Sequence, residues 1–248
     1  MAVAVITGVS RRIGIGAAVA RRLAEAGWDL FLHSWSPHDA EQPWGADAGG
    51  PAAIVADLRS RVRVEHLAAD LADPDAPAQL LAAAAGAYGR VDALVANHAR
   101  SSTATLEELT AAELDLSYAV NTRATLLLVK EFAARCPGPG RVVLMTSGQH
   151  RGPMPGELPY IASKGALHQV TASLAAHLAP RGITVNAVDP GATDTGYADE
   201  ATHAAVLALE PMGRWGEPDD AARLIAWLAS DAARWVTGQV LVSNGGGP

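Results

Sequence analysis

The sequence predicts one α/β domain built on a doubly wound parallel sheet of about seven strands, with helices on both faces. Three observations carry this. Short apolar-rich runs recur at 2–6, 28–33, 62–67, 91–96, 141–146, 183–188 and 239–242; strands that are largely apolar on both faces belong to sheets covered on both sides. Ala/Leu-rich stretches lie between them, near 13–26, 51–60, 74–87, 107–135, 159–179 and 217–229, and this alternation supplies the crossovers that parallel strands need. The 248 residues, 49% of them hydrophobic, provide core for one large domain and require no second.

The first strand starts at Ala2 with no basic region before it, so it reads as a strand running into a turn and not as a secretory signal. No apolar stretch reaches the ~20 residues of a membrane span; Ala119 to Val129 is interrupted by Asn121 and Arg123. A soluble, cytoplasmic protein is expected. The net charge of −7, from 19 basic and 26 acidic residues, argues against nucleic acid as a partner. The single cysteine, Cys136, excludes an internal disulfide and reads as an incidental thiol before Pro137-Gly138. The eight histidines form no spaced ligand set; His98, His150, His168 and His177 read as isolated surface or pocket residues, and no catalytic metal is expected.

In such sheets ligands sit beyond the carboxyl ends of the strands. After the first strand comes Thr7-Gly8-Val9-Ser10-Arg11-Arg12-Ile13-Gly14, opening directly into a helix. Glycine lets backbone approach a ligand closely, and the free N–H groups at a helix start favour phosphate, so Gly8, Ser10, Arg11, Arg12, Ile13 and Gly14 are expected to touch a dinucleotide. A purely structural turn is the plainer alternative. The second strand ends in His33-Ser34-Trp35, with no carboxylate until Asp39. An acidic residue there reads the ribose hydroxyls of NAD; its lack, beside Arg11 and Arg12, predicts NADP(H) over NAD(H). Residues 37–50 read as a polar surface loop near the adenosine end, without chemistry of their own.

Asp70-Leu71 and Asn97 with Ala99 end the third and fourth strands, where a cofactor would pass; Asp70 could instead cap a helix, although Asp73 before Pro74 suits that better. Asn121 interrupts an apolar helical stretch, and a buried amide there needs a task, either structural or on a water. Ser147 stands at the edge of strand five. Thirteen residues on, Tyr160 and Lys164 lie four apart in a helix opened by Pro159, which puts phenol and ammonium on one face. A phenol of pKa ~10 needs a nearby cation to exchange protons near neutrality. With 17 Arg in the chain and Lys130 the one other lysine, a merely solubilising cation would more naturally be Arg; a surface pair is the bland alternative. Strand six runs into Pro190-Gly191, with Thr193 and Thr195 available to a ligand. The helical stretch 196–212, within 196–215, suits a substrate lid, with a plain connecting helix as the alternative.

Taken together, Thr7-Gly8…Ile13-Gly14, Asp70, Asn97-His98-Ala99-Arg100, Asn121, Ser147, Tyr160-x-x-x-Lys164, Pro190-Gly191…Thr195 and Asn244-Gly245-Gly246 resemble the short-chain dehydrogenases/reductases, with the look of a 3-oxoacyl-carrier-protein-reductase-like member. Two departures stand out. Arg12 replaces the middle glycine of the family's turn, as in the pteridine-reductase branch, and the family's Asn-Asn-Ala-Gly run is Asn97-His98-Ala99-Arg100, with bulk that could alter the sheet or the pocket entrance. The resemblance implies a single-domain Rossmann fold and hydride transfer between NADPH and a carbonyl. It implies Tyr160 as proton donor, Lys164 lowering the Tyr160 pKa and holding the nicotinamide ribose, Ser147 on the carbonyl oxygen, and Asn121 holding a water in a proton relay. Gln149, His150, Met154, Leu158, Tyr197 and Trp215 would wall a medium-sized ketone, with pterin C=N reduction or NADP binding without turnover as alternatives. The family's usual self-association implies a homo-oligomer, a dimer or homotetramer, through the helices at 107–135 and 159–179.

Overall fold

A computed structural model describes residues 1–247. The strands β1 (Val3–Ile6), β2 (Asp29–Ser34), β3 (Val64–Ala68), β4 (Ala93–Ala96), β5 (Gly140–Met145), β6 (Ile183–Asp189) and β7 (Val240–Val242) form one sheet in the order β3-β2-β1-β4-β5-β6-β7. Every pairing is parallel. The helices are α1 (Ile15–Glu25), α2 (Ser36–Glu41), α3 (Gly50–Leu58), α4 (Ala76–Tyr88), α5 (Ala111–Ser117), α6 (Ala124–Arg135), α7 (Leu158–Leu178), α8 (Glu200–Leu207) and α9 (Pro218–Ala229). Among the described residues no helix is long and apolar enough to cross a membrane.

Alternation along the strands divides the core in two. Ala4, Ile6, Leu30 and Leu32 face Val19 and Leu23 of α1 and Ile225 and Leu228 of α9. Val5, Phe31, Leu94, Val142 and Leu144 face Leu80 and Leu81 of α4, Leu128 and Phe132 of α6 and Leu178 of α7. The chain builds outward from β1 to β3 and then crosses back to β4 on the other side of β1, so a crevice opens between the carboxyl ends of β1 and β4. Phe132 is fully buried, with its ring against Gly140 at the start of β5. Phe132→Ala is expected to cost about 3–5 kcal/mol of unfolding free energy, read as a lower denaturation midpoint in urea; a loss below about 1 kcal/mol would mean that this layer repacks.

Four expectations are corrected. The single helix at 107–135 is α5 and α6 separated by a π-helical turn over Tyr118–Arg123, and α5 starts only at Ala111, where Thr110 caps it by accepting from the Glu113 N–H. The turn carries Asn121, whose side chain must reach chain segments on two sides. Within the supposed loop at 37–50, Pro37 sits in the first turn of the short helix α2, where its missing N–H costs nothing. Of the 196–212 stretch only Glu200–Leu207 is helical, with Asp199 capping it through Thr202 N–H. Asp73 does not cap α4; its carboxylate accepts from Asp75 N–H instead.

Candidate active site

A cleft of about 1070 Å³ runs along the carboxyl ends of the strands. At one end the turn after β1 makes its floor. Gly8 has φ of +73°, and a Cβ there would meet the His98 Cα at 2.7 Å, so both backbone conformation and space demand glycine. The Asn97 amide ties the turn to β4 by donating to the carbonyls of Thr7 and Gly8, both at 3.1 Å. Gly14 opens α1 with no side-chain cap, leaving the first N–H groups of the helix beside the cleft that Gly14 and Ile15 line. An uncapped helix start with close glycine backbone fits a pyrophosphate, so this end meets the needs of a dinucleotide cofactor.

The two adjacent arginines part company. Arg11 lines the cleft, its guanidinium 5.8 Å from the centre of the Trp44 ring. Arg12 points into a separate depression of about 450 Å³, where Asp47 holds its guanidinium at 2.7 and 2.9 Å and also accepts its backbone N–H. That carboxylate raises the Arg12 pKa further and lowers its own. Ile13 is exposed in the same depression and does not reach the cleft. Ser34, expected at the adenosine end, is buried and bonded to His66 at 2.8 Å, away from the cleft. His33 and Trp35 do line it, as do Asp70, Leu71, Asn97 and Ala99. Ser10 also lines it and accepts from Trp35 N–H at 3.2 Å. The supposed surface loop is a wall, since Pro37, His38, Asp39, Glu41, Gln42 and Trp44 all face the cleft. His38 anchors this wall by accepting from Ser101 N–H at 3.2 Å.

At the other end Ser147, Tyr160 and Lys164 converge. One helical turn of α7 brings the Lys164 ammonium to 5.8 Å from the centre of the Tyr160 ring. Lys164 is buried and donates to the Met145 carbonyl at 3.0 Å, which leaves further N–H protons of its ammonium for the cleft. Burial lowers the Lys164 pKa to about 8. Burial raises Tyr160 to about 12, helped by Glu157, Tyr197 and Asp189, while a hydrogen bond with Ser147 pulls the other way. The expected depression of the phenol by Lys164 is not among the influences on it; burial dominates, and at neutral pH Tyr160 keeps its proton. Pro190, Gly191, Thr193 and Thr195 line the cleft beyond β6. Gly191 has φ of +64° and leaves no room for a Cβ against Asn244. The Thr193 hydroxyl is engaged by the Pro190 carbonyl at 3.1 Å.

Asn121 departs from its expected relay. Its side-chain oxygen accepts from Arg100 N–H at 2.7 Å, and its NH₂ group donates to the Arg100 carbonyl at 3.0 Å and the Ser163 hydroxyl at 2.9 Å. Both donors are committed within the protein, so the amide clamps the segment after β4 to α7 and does not face the cleft. Of the expected substrate walls, Met154 and Tyr197 line the cleft. Trp215 is buried, stacked on His203 at 4.8 Å and donating to the His203 carbonyl at 3.0 Å, so it anchors α8 and forms no wall. Gln149 turns to Thr146, and His150 packs on His168 at 4.8 Å; neither they nor Leu158 reach the cleft. Among the described residues no group of three or more His, Cys, Asp or Glu is arranged to hold a metal ion.

Residues 8–247 match the family model described as enoyl-(acyl carrier protein) reductase. An uncharacterized oxidoreductase of Bacillus subtilis is 42% identical over 248 residues, covering 98% of this chain and 96% of its own. A short chain dehydrogenase from Burkholderia cenocepacia in complex with NADP superposes with a TM-score of 0.87 at 35% identity, over 98% of this chain and 96% of that one. A blue fluorescent protein from a metagenomic library, in complex with NADPH, gives 0.89 at 34% identity, over 99% and 97%. This chain belongs to the short-chain dehydrogenase/reductase family. It is an oxidoreductase of the NAD(P)-binding kind, and enzymes of the family act on small molecules.

As a short-chain dehydrogenase/reductase the chain accommodates its unusual Asn97-His98-Ala99-Arg100 run without disturbing the sheet. His98 is no isolated pocket residue. It is buried, with Nδ1 at 2.7 Å from the Thr7 hydroxyl and Nε2 at 3.0 Å from the Val120 carbonyl. The carbonyl accepts only, so Nε2 carries the proton and Nδ1 accepts from Thr7. Burial lowers its pKa to about 3 and that of neighbouring His33 to about 4, keeping both rings neutral under the cleft floor. Arg100 finds an ion pair with Glu113 at 2.9 Å. Sequence reasoning missed His98 as a structural link and Glu157 as a cleft residue; the sole hint of the first was its place in the family's asparagine run.

Proposed function

We propose that this enzyme is an NADP-dependent ketone reductase. The observation that carries the reading is the convergence of Ser147, Tyr160 and Lys164 at one end of a cleft whose other end has an uncapped helix start and Arg11. NADPH, when bound, supplies the hydride. The Tyr160 hydroxyl gives its proton to the carbonyl oxygen, which becomes the alcohol oxygen as the carbonyl carbon gains hydride. The Ser147 hydroxyl donates to the same oxygen and holds it within reach of the phenol. The Lys164 ammonium stabilises the phenolate that remains and is placed to donate to the ribose. Asn121 acts as a positioning residue, because its amide fixes Ser163 one residue before Lys164. Residues 196–215 serve as the lid; Tyr197 stands over the cleft, and stacked Trp215 ties α8 down behind it.

For cofactor choice, Arg11 and Arg12 have separable roles. Arg11→Ala is expected to weaken NADPH about 10–100-fold while changing NADH little, since a guanidinium gains most from the 2′-phosphate. Arg12→Ala should affect both nucleotides alike, because Asp47 already occupies its fork. Fluorescence titration of both coenzymes tests this; an Arg12 variant that loses NADPH selectively would reverse the assignment.

A further inference from the structure

We infer that Glu157 selects the substrate: its carboxylate, at the reacting end of the cleft, takes a ketone that carries an ammonium or another strong hydrogen-bond donor and disfavours one that carries a carboxylate. This rests on the ketone-reductase reading of Tyr160.

Glu157 lies three residues before Tyr160, and its backbone is held on both sides. Its N–H donates to the Met154 carbonyl at 3.1 Å, the following Leu158 N–H donates to the Ala104 carbonyl at 3.1 Å, and Ala104 and Glu157 form a bridge. The position is therefore firm. Glu157 stands at the N-cap of α7, and its side chain makes no capping hydrogen bond. It is half-buried in the cleft wall instead. Burial raises its pKa, and among the described residues no cation or donor offsets that. Its charge is felt by Tyr160 and by Tyr197 across the cleft.

The neighbouring cations are engaged elsewhere. Arg100 is paired with Glu113 at 2.9 Å, and Arg151 with buried Asp189 at 2.8 Å. Lys164 donates to the Met145 carbonyl. On the lid rim Asp199 adds a second carboxylate, held ionised by Thr202. Glu157 and Asp199 thus line the cleft as carboxylates, while the Arg100 guanidinium that also lines it is paired with Glu113. A half-buried carboxylate without a partner is costly, and at a ligand site the ligand can supply the missing donor. A substrate carboxylate would meet like charge in a setting of reduced dielectric.

Acetophenones with a para aminomethyl, methyl or carboxylate group share one ketone core and bring a positive, neutral or negative group toward Glu157. Binding is measured by calorimetry on the protein with saturating NADP⁺. The aminomethyl ketone is expected to bind roughly tenfold more tightly than the carboxylate. In Glu157→Gln, an isosteric change, that ratio is expected to fall to near one. Equal binding of the two ketones by the native protein, no binding of either, or the same ratio in Glu157→Gln would each overturn the proposal. NADPH oxidation with the methyl compound by the native protein tests the reductase reading separately. Loss of that turnover with the binding ratio intact would sink the reductase and spare Glu157, and the reverse result would do the opposite.

Discussion

Tyr160→Phe is expected to bind NADPH as the native protein does while its ketone turnover falls roughly 10²–10⁴-fold, the range that a positioned general acid contributes. The ring, its packing and its distance from Lys164 are all kept; the hydroxyl alone is lost. Because burial holds the phenol at about 12, the native enzyme carries the transferable proton throughout the neutral range. The carbonyl oxygen in the variant would have to take its proton from solvent in a partly desolvated cleft. Fluorescence titration with NADPH and initial rates of NADPH oxidation give the two readouts. A variant that kept more than about a tenth of native turnover would show that another group protonates the oxygen.

Lys164→Met is expected to lower turnover by about 10²-fold without loosening the fold. The native side chain is fully buried, and burial has already pushed its pKa down to about 8, which shows that the charged form is disfavoured there. Methionine fills similar volume and removes that charge, so lost stabilisation from the bond to Met145 is offset by relieved desolvation and the thermal midpoint should move by only a few degrees. The same pKa fixes a pH dependence. The ammonium is the form that stabilises phenolate, so the rate of ketone reduction should hold below pH 8 and fall as pH rises through about 8. A native profile flat to pH 10, or a Lys164→Met protein as active as the native one, would mean that the lysine is structural.

The adjacent pair Arg11 and Arg12 shows where local reading stops. In sequence both stand in the turn after the first strand and both invite a phosphate. Their division depends on Asp47, 35 residues away, which pairs with the Arg12 guanidinium and accepts its backbone N–H. Asn121 behaves likewise. An amide in an apolar stretch announced a task, but the partners lie at Arg100 and Ser163, 21 and 42 residues off, and reaching them opens the helix into a π-helical turn. No periodicity reports such a turn, because one residue inserted in a helix leaves the apolar pattern on either side intact.

By itself the sequence determined the strands, their parallel alternation with helices, the glycine turn at Gly8 and the shared face of Tyr160 and Lys164. Each of these depends on neighbours within a few residues: strand apolarity, helix spacing and the φ that only glycine adopts freely. The tertiary structure alone decided which side chains meet in the cleft. It closed one wall with α2, turned Trp215 inward to anchor α8, put Glu157 beside Tyr160 without a partner, and set the acidities of Tyr160 and Lys164. The physical reason is that burial and charge pairing are properties of groups brought together from distant parts of the chain, and desolvation has no signature in the order of residues.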